Sequence, residues 1–330
     1  MPLYCDIVAP AKQPQTIADK TNPIIDQEPP DLTTTPSVIN PPQRDAVGVA
    51  FVLLSGLGVV FLPTTAKFAY LDGSNVITVA FARGVIAVVL LMLVALAMQQ
   101  SLKLPRALLK PSLISGIAQV IFVYGVYAAI TSINISLALL ILYIYPIVLA
   151  IHQHRLGTIK VRTVQWLCAL IAVSGLMLIL GVRFDEINLI GVCLALMAML
   201  ATVVITITNV RVTATMGSLA SNFYMSVWSL LIFTAVLLLV GDFAEPRSTS
   251  GWLALTGNGV AYCVAWVAFF AGARILGATR ASMLSLVEPP AAALGAWLLF
   301  GETYSALQWC GFFVVLAAIF MFEKLSYSSA

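Results

Sequence analysis

Two ionisable side chains interrupt long apolar runs of this chain: Arg83 in VAFARGVIA and Glu288 in SLVEPPAAALGAWLLFGE. Near the centre of a membrane helix such a residue costs at least about 2.5–3.5 kcal/mol, so it is kept for a partner or a function. A guanidinium offers five N–H donors in a fixed fork, which suits a substrate carboxylate, while a carboxylate accepts hydrogen bonds from an amine or takes up a proton. The plainer alternatives stay open at this point: Arg83 capping carbonyls or pairing with a carboxylate, and Glu288 as a buried structural acid. At a rise of 1.5 Å per residue, Arg83 lies about 13 Å into its run and Glu288 about 12 Å beyond Arg280. Both are expected near mid-membrane.

Prolines stand beside the acid. Pro289 and Pro290 cannot donate to the carbonyls of Ser285 and Leu286, and Pro146 leaves that of Leu142 without its usual donor. Carbonyls freed at that depth must be satisfied by other helices, side chains or water. Pro146, Pro289 and Pro290 are therefore expected either to line a cavity as helix breaks or to make packing kinks. Tyr127, Tyr145 and Trp266, with Tyr124 and Tyr143, are candidates to stack on or hydrogen-bond a substrate, although interfacial belts account for many such rings. Lys67 closes the first run, where it either snorkels to the interface or meets a substrate on its way in. Gln119 and Asn209 are expected to bridge helices. His152 and His154 have no further ligands in sequence, so no metal site is expected.

The elements that position these residues follow from composition. The chain has 330 residues, 61% hydrophobic and 9% charged, against roughly 45–50% and about 25% for a soluble domain. The apolar residues fall into ten runs of near-membrane length. These are Ala46 to Phe68, Ser74 to Met98, Pro111 to Ile130, Ile133 to Ile151, Thr163 to Val182, Ile187 to Asn209, Ala220 to Val240, Trp252 to Ala273, Leu276 to Phe300 and Tyr304 to Phe322. Alternation of period two is absent, which argues against a β-barrel. An all-α membrane protein of ten transmembrane helices is expected. Residues 1–45 differ, with nine prolines and six acids, and read as a disordered tail. Cys168, Cys193, Cys263 and Cys310 fall inside the runs and read as small apolar residues.

Basic residues collect on the cytoplasmic side of membrane proteins. Placing the first 45 residues inside puts eleven Lys and Arg on that side, from Arg44 to Lys324, and only Lys67, Arg183 and Arg247 opposite. Both termini are expected in the cytoplasm. The opposite loops hold Asp72, Asp185, Glu186, Asp242, Glu245 and Glu302.

Sliding the chain against itself by 143 residues aligns Gly48 with Gly191, Pro146 with Pro289, and Gln165-Trp166 with Gln308-Trp309. The chain thus divides into repeats at 46–182 and 187–323. Five spans per repeat force the second into the membrane upside down, and inverted repeats of this kind characterise secondary transporters with a site near the midplane. Arg83 and Glu288 break the symmetry, since their partner positions hold Ser226 and Tyr145.

The ten-span layout, the duplicated unit, and SLVEPPAAALGAWLLFGE leading into QWCGFFVVLAAIF resemble the EamA domain of the drug/metabolite transporter superfamily. LALLILYIYPIVLAI resembles the same step in the first half, with Tyr145 in place of the acid; HQHRLGTIK follows it, without the closing Gly-Glu. The resemblance implies a carrier of small organic metabolites in the cell inner or plasma membrane, working by alternating access and favouring export.

Among substrates an amino acid or similar zwitterion is expected first, with proton coupling at Glu288 a candidate. Sugar phosphates and nucleotide sugars, carried by relatives, would call for more than one buried cation. A membrane scaffold or sensor acting through the tail is the alternative from another class. No phosphate-cradling loop, zinc-helix motif or nucleophile elbow occurs, so neither a cofactor nor an enzymatic reaction is expected, and nothing points to nucleic acid. The expected partners are a small-molecule substrate, the lipid bilayer and protons, in a monomer or homodimer.

Overall fold

The computed structural model describes residues 41–130, 132–182, 188–300 and 303–327. Residues 1–40 of the expected tail, Arg183, Asp185, Glu186 and the Gly301-Glu302 step lie outside the described residues. Among the described residues the regular elements are helices and no strand occurs. The helices are α1 (Pro41–Leu71), α2 (Val76–Ala97), α3 (Arg106–Ile130), α4 (Ile135–Leu142), α5 (Tyr145–Arg155) and α6 (Thr163–Ile179) in the first half. The second half has α7 (Leu189–Met216), α8 (Ser218–Val240), α9 (Thr249–Leu276), α10 (Ala278–Leu284), α11 (Glu288–Phe300) and α12 (Ala306–Tyr327).

Short polar side chains start several of these helices by satisfying N–H groups that lack a helical partner. Asn75 accepts from the Thr78 N–H, Asn134 from Ser136 and Asn188 from Ile190. Helices also outrun the apolar windows. α1 begins at Pro41, so the last five residues of the segment expected to be tail are helical; proline fits a first turn, where its missing N–H costs nothing. α3 begins at Arg106 and runs through Pro111, and α7 continues past Asn209 to Met216. A window ends at the first polar cluster, whereas backbone hydrogen bonding continues through it.

Among the described residues, eight stretches have the length and composition to cross a bilayer. α6, at 17 residues, is apolar but shorter. The ninth expected span is divided into α10, a 3-10 turn at Ser285–Val287, and α11. The chain is multi-pass and, among the described residues, all-helical, and the figure of ten remains a sequence expectation.

The repeat is visible element by element. α3, α4, α5 and α6 start at Arg106, Ile135, Tyr145 and Thr163, and α9, α10, α11 and α12 start 143 residues later at Thr249, Ala278, Glu288 and Ala306. Packing partners are exchanged between halves: α1 lies along α9 while α7 lies along α3, and α2 meets α8 as α6 meets α12. Two glycines make the exchange concrete. A Cβ on Gly48 would stand 2.7 Å from Leu276 Cγ, and one on Gly191 2.7 Å from Ile133 Cγ2, and both members of these contacts are related by the 143-residue offset. The central core joins α1, α2, α3, α7, α8 and α9 through residues such as Val52, Leu91, Ile205, Met225 and Phe270, while a second cluster holds α6 and α12 against the two breaks.

Candidate functional site

Both expected helix breaks are present and they face each other. In the first half α4 ends at Leu142 and α5 starts at Tyr145 with a proline in its first turn. In the second, the chain tightens into the 3-10 turn and α11 opens with Glu288, Pro289 and Pro290. The carbonyl of Ser285, which Pro289 cannot serve, accepts instead from the Glu288 N–H. The prolines thus occupy a helix start, where they fit, and the acid sits in the first turn, where the helix dipole favours negative charge. Two hydrogen bonds tie the breaks together. Tyr143 donates its hydroxyl to Glu288 Oε2 at 3.3 Å, and the hydroxyls of Tyr145 and Ser285 lie 2.7 Å apart.

Beside the breaks is a cavity of about 140 Å³, lined by Arg83 of α2, Tyr143, Tyr145, Glu288, Thr202 and Thr206 of α7, and Trp266 and Phe269 of α9. α1 supplies Ser55, Val59 and Leu62 to the same wall. Arg83 is 8% exposed and Glu288 9%. The Arg83 guanidinium lies 5.0 Å from the ring centroid of Tyr262, a cation–π contact. Among the described residues the ion pairs are those of Arg280 with Asp45 and Glu323. Arg83 and Glu288 therefore share a cavity without forming an ion pair with each other. The Trp266 ring is held by stacking on Phe270 at 5.6 Å and by the edge of Phe122 at 6.4 Å, so it presents a fixed aromatic wall.

The structure brings Arg83, Glu288, Tyr145 and Trp266 to one place. It puts Tyr127 elsewhere, edge-on to Tyr70 with centroids 6.2 Å apart, and leaves Lys67 and Tyr124 exposed. Pro146, Pro289 and Pro290 are buried at the breaks, although the cavity wall itself is made by the neighbouring Tyr143, Tyr145 and Glu288. Gln119 and Asn209 bridge nothing: both amide atoms of each are buried without a hydrogen-bond partner. Sequence reasoning missed Thr202 and Thr206, whose spacing of four on one helix is the signal that could have placed them on one face. It also left Tyr143 among general aromatics, where its spacing of two from Tyr145 across the break was available.

The chain matches the model of the EamA-like transporter family twice, over residues 46–181 and 189–323. It belongs to that family. No curated protein matches it significantly. Among solved structures 28 chains match; one crystal structure of a protein aligns with TM-score 0.70 and 15% identity, covering 86% of this chain and 98% of its own. At that identity the likeness speaks for the fold alone. Membership makes this EamA-like chain a multi-pass membrane transporter of the drug/metabolite type. The two matched stretches coincide with the two halves whose breaks meet at the cavity.

Proposed function

We propose that this chain carries a small zwitterionic metabolite, an amino acid in the first instance, through the cavity of Arg83 and Glu288 by alternating access. One observation carries the reading: a guanidinium and a carboxyl group line the same cavity without pairing. A ligand with a carboxylate at one end and an amine at the other would engage both, with Trp266 and Phe269 against its side chain. The cavity is smaller than the roughly 300–1,000 Å³ typical of drug-sized ligands, which favours a compact solute. Among the described residues Arg83 is its only lining Lys or Arg, and this disfavours sugar phosphates and nucleotide sugars. Glu288 is also the proton-coupling group in this proposal; the charge distribution of the loops supports both termini inside, and membership of the EamA-like family favours an exporter of the cytoplasmic membrane.

A thermal-shift screen of the purified protein against amino acids, nucleosides, sugars and phosphorylated metabolites identifies the ligand, because a solute that binds the native state stabilises it. Transport of that ligand into proteoliposomes is then expected to respond to an imposed proton gradient in the wild type. Arg83→Ala is expected to fold and to bind at least tenfold more weakly, in line with the about 1.5–3 kcal/mol of a charge-assisted hydrogen bond. Near-normal flux in both Arg83→Ala and Glu288→Gln would overturn the site.

A further inference from the structure

On α7 the side chains of Thr202, Thr206, Asn209 and Thr213 follow at intervals of four, three and four residues and so share one helix face. All four are buried. Thr202 and Thr206 line the central cavity. Thr213 meets Ser221 of α8 at 2.6 Å, close to the Gly217 link that ends α7. From Thr206 to Met216 the rise is about 15 Å, so the stripe leads from the cavity to one end of the bundle.

The hydroxyls of this face have local partners. Thr202 donates to the Ala198 carbonyl at 3.0 Å and Thr206 to that of Thr202 at 2.9 Å. Asn209 does not: it is fully buried and neither its amide nitrogen nor its amide oxygen has a partner. Buried polar groups are nearly always satisfied, and an exception calls for a cause. The repeat supplies a contrast. The positions of α1 that correspond to the stripe are Val59, Pro63, Ala66 and Tyr70: Val59 reaches the cavity as an apolar side chain, Ala66 is packed in an apolar cluster with Ala69, Val79 and Leu255, and Tyr70 alone carries a polar group, a buried hydroxyl without a partner. The polar stripe therefore belongs to α7 and not to the duplicated fold.

Resting on the carrier reading above, we infer that the Thr202–Thr213 face of α7 lines the route by which water and a polar solute pass between the cavity and the Gly217 end of the bundle. In the conformation described this route is closed, and the unsatisfied amide of Asn209 is what water or solute meets when it opens. The corresponding face of α1 gives no such route.

The test is thiol labelling by a charged, membrane-impermeant methanethiosulfonate, read as added mass per chain over the wild type. Thr215, in the last turn of α7, is exposed, so Thr215→Cys marks the face on which the Gly217 end opens. Asn209→Cys is expected to label in oriented membrane vesicles from one face only, the face that labels Thr215→Cys, and Ala66→Cys is expected to stay unlabelled from either face. Asn209→Leu is expected to keep or raise the Tm, since it removes an unsatisfied buried amide, while lowering transport at least tenfold. Labelling of Ala66→Cys as fast as Asn209→Cys, or full transport by Asn209→Leu, would overturn the route. Labelling requires no transport assay, so the two readings fail separately. Vesicles that label as expected but move no solute contradict the carrier and support the route; vesicles that move solute with Asn209→Cys unlabelled contradict the route and leave the carrier standing.

Discussion

The two helix breaks, Tyr143 to Pro146 in the first half and Ser285 to Pro290 in the second, occupy matching positions of the duplicated unit and present different chemistry. Each is a short helix, a proline-aided restart, and a side chain facing a shared cavity. The first presents the phenol of Tyr145 and the second the carboxyl of Glu288, 143 residues apart in sequence. What repeats is the backbone device, because both halves must satisfy freed carbonyls at membrane depth. What differs is the group a substrate would meet. A cavity between two copies of one unit becomes selective for an asymmetric solute only where the copies diverge, and Arg83 with Ser226 as its counterpart is the second such place.

The largest expected effect tests this divergence directly. Glu288→Gln should lower transport of the identified ligand at least tenfold and remove the response to a proton gradient, whereas Tyr145→Phe loses one neutral hydrogen bond, worth about 0.5–1.5 kcal/mol, and should cost about 2–10-fold. The exchange variant carrying Tyr145→Glu with Glu288→Tyr should stay inactive. Recovery in that variant, measured as flux in proteoliposomes, would mean that the cavity reads the pair without regard to the half that supplies it.

Packing should behave in the opposite way, with the halves equivalent. Gly48→Ala and Gly191→Ala each force a methyl to within 2.7 Å of an apolar neighbour, and overpacking of this kind costs about 1–3 kcal/mol. The two variants should lower the Tm by similar amounts. A fall in only one would show that the repeat relation holds for the backbone course but not for its helix contacts.

A smaller effect separates the two tyrosines of the first break. Tyr143→Phe removes the 3.3 Å hydrogen bond to Glu288 and leaves the Tyr145–Ser285 contact. Ligand affinity by thermal shift should fall by less than in Arg83→Ala, and an effect equal to that of Glu288→Gln would make Tyr143 part of the binding group itself.

Much of this was legible in the residues because membranes enforce simple rules. Lipid-length apolar runs give helices, and a proline at Pro146 repeated at Pro289 gives a shared break. The offset of 143 was visible in Gln-Trp and Pro matches and reappears as the spacing of helix starts. Side-chain direction was less legible. Lys67, Tyr127 and Tyr145 are all chemically suitable, but only the fold decides which faces the cavity, and for Lys67 and Tyr127 it does not. Helix ends do not coincide with the ends of the apolar stretches where polar residues such as Arg106 and Arg211 continue a helix. The unsatisfied amides of Gln119 and Asn209 had no sequence signal, since a buried Asn with a partner and one without look alike in one dimension.

The smallest expected effect lies at the end of the bundle where α1 meets α9. The Asp72 carboxylate accepts from the Ser248 N–H at 2.9 Å and from its hydroxyl at 2.7 Å, and the Asp72 carbonyl accepts from the Arg247 N–H at 3.1 Å. The positions that correspond to Asp72 and Ser248 in the opposite repeats are Thr215 and Pro105, so this carboxylate link has no repeat counterpart; there Gln100 Nε2 instead donates to the Met216 carbonyl at 2.9 Å. The Ser248 hydrogen bonds hold the Asp72 carboxyl below its ordinary value of 3.8. A depressed carboxylate stabilises the fold above its unfolded pKa, and that contribution is lost as pH falls through the folded one. Asp72→Asn should therefore have a slightly lower Tm than the wild type near pH 7, and the difference should begin to close as the pH falls below about 4. Because the link is solvent-exposed, added salt should shrink the difference as well. A gap in Tm that did not narrow at all as the pH fell below about 4 would assign the effect of the variant to lost shape rather than lost charge.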